Sequence, residues 1–256
     1  MATAVQEIEN RESGATAVIS GIIEYLKERR LQPGDRLPSE RDLAERLGAG
    51  RNAVREALAK LVTLRMVESR SNSGIYLRHV ERESSFEALV MLTDMGASPT
   101  PTDISETLEV RAHLEALAAR LACKRRDEID LLRLNQILSD SQALLAKGGN
   151  IVDMDTEFHM ALVTASHNSV LVRVLNAFYR FTAKRRTVHF ADLKQAQVSL
   201  KDHRKLVDFI RLQDEEKSVA LALKHMNRAA TYWSTLFAVS PKSTKAAKKS
   251  TRTTHR

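Results

Sequence analysis

Apolar positions recur with helical spacing along most of the chain. From Ala15 to about Arg30, Val18, Ile19, Ile22, Ile23 and Leu26 fall on one face of a helix. The Pro-Gly turn in Leu31-Gln32-Pro33-Gly34-Asp35 breaks the pattern. Ser39 then precedes Glu40-Arg41-Asp42 as an N-cap with acids in the first turn, which predicts a short helix from Glu40 to Leu47. Gly48 ends it, and a third helix is expected from about Arg51 to Leu64, with Val54, Leu58, Leu61 and Val62 turned inward. Two short helices joined by a tight glycine-bearing turn make a helix-turn-helix. Beyond it, Val67–Arg70 and Ile75–Arg78 flank Ser71-Asn72-Ser73-Gly74, which predicts a two-stranded hairpin, a wing.

The rest of the chain reads as helix, with helices expected near 84–95, 103–124, 127–147, 151–166, 169–190, 192–211 and 214–237. The prolines of Ala97-Ser98-Pro99-Thr100-Pro101-Thr102 do not continue a helix, so a linker is expected there. Short loops such as Lys147-Gly148-Gly149-Asn150 favour antiparallel neighbours, and Asn168 reads as a helix stop and cap. The fold class is therefore mainly α: an N-terminal winged helix-turn-helix followed by an all-α antiparallel helical bundle. Its parts are an N-terminal tail over 1–14, a winged domain over 15–80, a linker with a short helix over 81–102, a bundle over 103–237 and a basic disordered tail over 238–256.

The length of 256 residues suits two domains, each able to bury a core. No stretch approaches the roughly 18 apolar residues of a membrane span, and Met1–Asn10 has neither a basic region nor an apolar run, so a cytoplasmic protein without membrane contact is expected. The single cysteine, Cys123, reads as a small buried hydrophobe. A net charge of +8 points to a polyanionic partner, but six of the eight excess charges belong to Ser240–Arg256, a segment with too little apolar surface to order itself.

In a helix-turn-helix the start of the second helix enters the major groove of double-stranded DNA, and here it carries Arg51, Asn52 and Arg55. Arginine reads guanine and asparagine reads adenine by paired hydrogen bonds; Arg41, on the preceding helix, is placed for phosphate or a groove edge. Pro33-Gly34-Asp35-Arg36-Leu37-Pro38-Ser39-Glu40-Arg41-Asp42-Leu43-Ala44 and Val54-Arg55-Glu56-Ala57-Leu58 closely resemble the signature of GntR-family regulators over about residues 15–78. The resemblance implies that Arg41, Arg51 and Arg55 touch operator DNA and that Gly74 of the wing approaches the minor groove. Ala49-Gly50 and Arg65-Met66 depart from the family pattern, which usually has Val-Ser in the first place and a glycine turn in the second.

Asp155 and His159 stand at i and i+4, so both project from one face of a helix and can chelate one ion. His203 and His225 lie on later helices. One carboxylate and three imidazoles suit a divalent transition ion, zinc foremost with nickel or manganese as alternatives, with open positions left for water or an anion. Residues 103–237 are similar to the FCD effector domain of the FadR-type branch, in which this Asp-x-x-x-His pair and two later histidines form a metal pattern. The same resemblance implies that Arg111 pairs with a small carboxylate effector; an ordinary helix-surface arginine paired with Glu115 is the alternative. Lys184, Arg185 and Arg186 could face the cavity, though such a run is ordinarily a solvated face, and His113, His167 and His189 fit no site.

The expected function is that of a bacterial transcription regulator, a homodimer on a pseudo-palindromic operator and a repressor released by a small carboxylate. One rival is a DNA-binding protein whose metal only braces the bundle. The other is a metal-dependent hydrolase, for which Glu157 is the one candidate base.

Overall fold

The computed structural model describes residues 2–96 and 99–239, with side chains over 14–96 and 99–233. The basic segment 240–256 lies outside the described residues, as do Ala97 and Ser98 of the linker. The chain divides into two compact units, Met1–Ser98 and Pro99–Arg256.

In the first unit, α1 (Ala2–Glu28) begins well before the amphipathic stretch at Ala15, so the 1–14 segment read as a tail is largely helical backbone. Val18, Ile19 and Ile22 of α1 pack with Leu43 of α2 (Glu40–Leu47) and with Val54, Leu58 and Leu61 of α3 (Arg51–Thr63). Val62, expected inward, is exposed instead, because the buried stripe of α3 follows Val54, Ala57, Leu58 and Leu61. Ser39 caps α2 by accepting from the Asp42 N–H, and Gly48 closes it in the left-handed conformation at φ 59°. The N-cap of α3 is Gly50, and no side chain caps that helix start.

The wing is an antiparallel pair, β1 (Val67–Arg70) and β2 (Gly74–Leu77), in the register Val67 to Leu77 and Arg70 to Gly74. Arg78 lies beyond β2. The Pro-Gly turn adds a third edge: Arg36 bridges Tyr76, the Leu37 N–H donates to the Ile75 carbonyl at 2.8 Å, and the Leu77 N–H donates to the Asp35 carbonyl at 2.9 Å. The segment expected as linker forms α4 (Val80–Glu83) and α5 (Phe86–Asp94). It is not a free tether, because Ala88 is buried in the core of this unit and the Ser85 N–H donates to the Leu64 carbonyl.

Over its described residues the second unit is helical: α6 (Pro101–Arg125), α7 (Glu128–Ala146), α8 (Val152–Thr164), α9 (Ser169–His189), α10 (Leu193–Arg211) and α11 (Glu215–Val239). Pro101 starts α6 rather than blocking it. Thr100 and Asp103 form a capping box, and a proline in the first turn lacks only an N–H that the helix does not use. Asp127, Asn168 and Asp192 cap α7, α9 and α10. The short turns between consecutive helices reverse the chain, and the core holds Cys123 of α6, Leu134 and Ile137 of α7, Phe158 and Leu162 of α8, and Ile210 of α10.

Arg65, in the family's glycine position, sits at φ 59°, a conformation that costs a residue bearing a Cβ about 1 kcal/mol. Arg65→Gly is therefore expected to raise the stability of the isolated 1–98 unit or the full chain by about 0.5–1 kcal/mol. Urea midpoints check this, and a lower midpoint for the variant would contradict it.

Candidate functional site

Arg51, Asn52 and Arg55 are exposed together along the first turns of α3, and Arg41 is exposed on α2. Arg55 is not idle, because its Nε and one terminal nitrogen donate to Glu40 at 3.3 Å. Both groups of that pair are solvated, so it is weak enough for phosphate or a base edge to displace it. Gly74 adopts φ 120°, and a Cβ there would meet Arg36 Nε at 2.8 Å. The positive φ is what favours glycine here, whatever approaches the wing from outside, since the exposed Arg36 side chain could swing aside. Arg36, which lies over the glycine, was not singled out from sequence.

In the second unit the four residues with metal-ligand chemistry converge. One ligand atom from each of Asp155, His159, His203 and His225 lies within 4.8 Å of the other three, although they come from α8, α10 and α11. His159 Nε2 is 3.8 Å and His203 Nε2 is 3.5 Å from Asp155 Oδ1. Ligands on one ion at about 2.1 Å bond length are roughly 3.4 Å apart, so these spacings fit a shared ion with little movement. Asp155, His159 and His203 are buried, and Phe158 stacks on the His203 ring at 3.9 Å and 11°, holding it in place.

Carboxylates stand behind two of the rings. Glu115 Oε2 lies 3.1 Å from His159 Nδ1, and Asp202 Oδ2 lies 3.4 Å from His225 Nδ1. Such outer partners orient an imidazole and direct the other nitrogen toward an ion. Burial raises the Glu115 carboxyl, but His159 and Arg111 outweigh it and hold it down at about 2. Burial likewise works against Asp155, yet Arg186 and the histidines hold it far below the ordinary carboxylate range. His203 is held well below 6.5 by burial first, then by His225 and His159, so its ring is neutral and able to ligate near pH 7.

Arg111 is buried rather than on the helix surface. Its Nε donates to Glu115 at 3.4 Å, a terminal nitrogen donates to the Tyr179 hydroxyl, and its guanidinium carbon lies 4.0 Å from the centre of the Tyr179 ring. The i+4 pairing with Glu115 and the placement at the site are both present. Two contacts leave further donors on a guanidinium that carries five. Arg111, Asp155, His159 and His225 line one cavity of about 50 Å³, several times what one water needs.

The basic run is the main departure from expectation. Arg186 is buried and donates to Asp155 Oδ2 at 2.5 Å and to Thr156 Oγ1 at 2.7 Å, and Arg185 lines the cavity. The signal was present: Leu171, Leu175, Phe178, Thr182 and Arg186 recur every three or four residues along the inner face of α9. His189, which fitted no site, also lines the cavity. His167 bonds Asp130 at 2.8 Å on the surface, away from these residues. Glu157, the candidate base, pairs with Arg133 and is not among the residues lining the cavity.

These two units match known families. Residues 15–77 fit the bacterial regulatory proteins of the gntR family, and residues 106–228 fit the FCD domain. The chain belongs to the GntR family, with an FCD domain as its second unit. It is 36% identical over 151 residues, 59% of this chain and 67% of the relative, to the HTH-type transcriptional regulator LutR of Bacillus subtilis. It is 28% identical to the HTH-type transcriptional repressor NanR of Cronobacter sakazakii, over 83% of this chain and 82% of the relative. The chain spans only 53–59% of the length of several further operon regulators that it matches. Among solved structures, Lar, which controls expression of the Listeria monocytogenes agr system, superposes with a TM-score of 0.56 at 19% identity, over 87% of this chain and 97% of that one, a likeness of fold. The family and these relatives are regulators rather than enzymes, and no helix among the described residues is long and apolar enough to cross a membrane.

Because the Glu115 carboxyl is held at about 2 instead of 4.5, its contribution to stability is complete above pH 4.5 and fades as the pH falls toward 2. In EDTA-treated protein, wild type should exceed Glu115→Gln by on the order of 3 kcal/mol at pH 7, and the gap should narrow at pH 3. Urea unfolding at the two pH values measures it, and an unchanged gap would contradict the assignment.

Proposed function

We propose that the chain is a bacterial transcriptional repressor that binds a pseudo-palindromic operator as a homodimer and is released by a small carboxylate held at a metal site in the second unit. The observation that carries this reading is the convergence of Asp155, His159, His203 and His225 beside Arg111 on one cavity. It occurs in a chain that also presents Arg41, Arg51, Asn52 and Arg55 to solvent from a helix-turn-helix. Three imidazoles and a carboxylate match the preferences of zinc, with nickel or manganese as alternatives. When bound, the ion supplies a Lewis-acidic contact for a carboxylate oxygen. The protein's own part is to orient: Glu115 and Asp202 direct the rings, Phe158 fixes His203, and Arg111 offers its remaining donors to the anion.

One winged domain makes few contacts, so selective binding favours two, and the symmetry of the operator follows that of the dimer. The effector acts by preferring one of two arrangements of the bundle, and can shift DNA affinity only by that difference. Repression is the sense named for the Cronobacter sakazakii relative. The protein is proposed to act in the cytoplasm, where its operator is. Against the bracing-only reading stands the spare donor capacity around the cavity, which a structural ion does not use. Against the hydrolase reading stands the pairing of Glu157 with Arg133.

The test follows operator binding by zinc-loaded protein while hydroxy acids and sugar acids are titrated. At least one acid should weaken operator binding about tenfold or more, within the usual range of allosteric coupling. Arg111→Ala and His203→Ala should bind operator yet lose the response, whereas Arg55→Ala should lose operator affinity by about tenfold or more. Indifference of operator binding to every acid that binds would overturn the effector reading.

A further inference from the structure

Four guanidinium groups line the cavity, and three of them have a carboxylate. Arg111 has Glu115, Arg186 has Asp155, and Arg228 has Asp202. Arg185 has none. Both of its terminal nitrogens are buried without a hydrogen-bond partner among the described residues, and its guanidinium carbon lies 4.7 Å from the centre of the Phe181 ring. Beside it on α9, one turn on, His189 Nδ1 is also buried without a partner, its ring packed edge-on against Tyr232 at 4.4 Å. Buried donors are ordinarily satisfied, and a charged one left without an acceptor costs several times a lost neutral bond. Two such groups lining one cavity, with His189 in its Nδ1-protonated tautomer, are donors without an acceptor.

We propose that the effector is a short-chain dicarboxylate whose second carboxylate is received by Arg185, with His189 Nδ1 as a further donor. This rests on the reading of the cavity as an effector chamber. One carboxylate, held at the Asp155–histidine and Arg111 end, leaves the Arg185 charge uncompensated. A second on the same molecule supplies two oxygens that match the guanidinium fork. Asp103 attracts Arg185 only at a distance, and it is already engaged by Thr100 in the α6 capping box, so it does not replace the missing partner.

Calorimetric titration of the zinc-loaded full chain with succinate, malate and glutarate, each beside its monoamide, separates a second charge from size. At least one diacid should bind about tenfold or more tightly than its monoamide, the strength of a charge-assisted bidentate contact. Arg185→Met should bind diacid and monoamide alike, and Arg185→Lys should keep part of the preference. Ligand-free Arg185→Met should melt no lower than wild type, since it loses an unsatisfied cation; a lower melting temperature would make Arg185 a structural residue and overturn the proposal. Equal binding of diacids and monoamides by wild type, or a preference that survives in Arg185→Met, would overturn it too while leaving the carboxylate reading intact. Failure of diacids, monoamides and the simple acids lactate and gluconate to bind would overturn both.

Discussion

The charge of Asp155 is taken almost wholly out of water, and the second unit is arranged so that this can be tolerated. An isolated carboxylate at that depth would take up a proton rather than remain ionised. Here Arg186 reaches it from α9, Ser199 donates to it from α10 at 3.1 Å, and the imidazoles of α8, α10 and α11 surround its other side. One buried negative charge thereby specifies how four helices must meet. Apolar packing alone would bring α8 and α10 together through Phe158, Leu162 and Ile210, but it would not set their rotation to within an imidazole's reach. Removing a single partner would leave a buried charge, which is more damaging than replacing the whole set by apolar groups.

The same arrangement separates two tasks. The partners of Asp155 and the outer carboxylates Glu115 and Asp202 hold geometry, since each is engaged within the protein. Arg185 and His189 pack on neighbouring rings, but the two terminal nitrogens of Arg185 and Nδ1 of His189 have no hydrogen-bond partner among the described residues. Groups of the first kind constrain the fold. A polar atom of the second kind can change with less disturbance of the fold.

Much of this was legible in the sequence. The helix-turn-helix, the wing and six bundle helices follow from spacing and from caps such as Ser39, Asn168 and Gly48, because those signals are local. The cluster of Asp155, His159, His203 and His225 was legible as one i, i+4 pair plus two later histidines, which spacing alone could not bring together; resemblance to a family supplied the rest. Arg186 was misjudged because three consecutive basic residues read as a solvated face, although its period along α9 matched the buried positions. Glu115 could be seen as a neighbour of Arg111 but not as a partner of His159, a contact between residues 44 apart. Pro101 was read as a barrier and proved a helix start, since its effect depends on whether its missing N–H was needed. The packing of Ala88 into the first unit shows the same limit: a short amphipathic helix after a wing does not declare which core it joins.

The bare start of α3 has a consequence for how the reading helix behaves. With Gly50 as its N-cap, the first turn has no hydroxyl or carboxylate of its own to accept from its free N–H groups, and Arg51 and Asn52 stand on that turn. A phosphate oxygen is the acceptor such a turn lacks. DNA would then finish the helix as well as be read by it, so amide protons at the start of α3 would exchange freely in the unbound protein and slow once an operator is engaged.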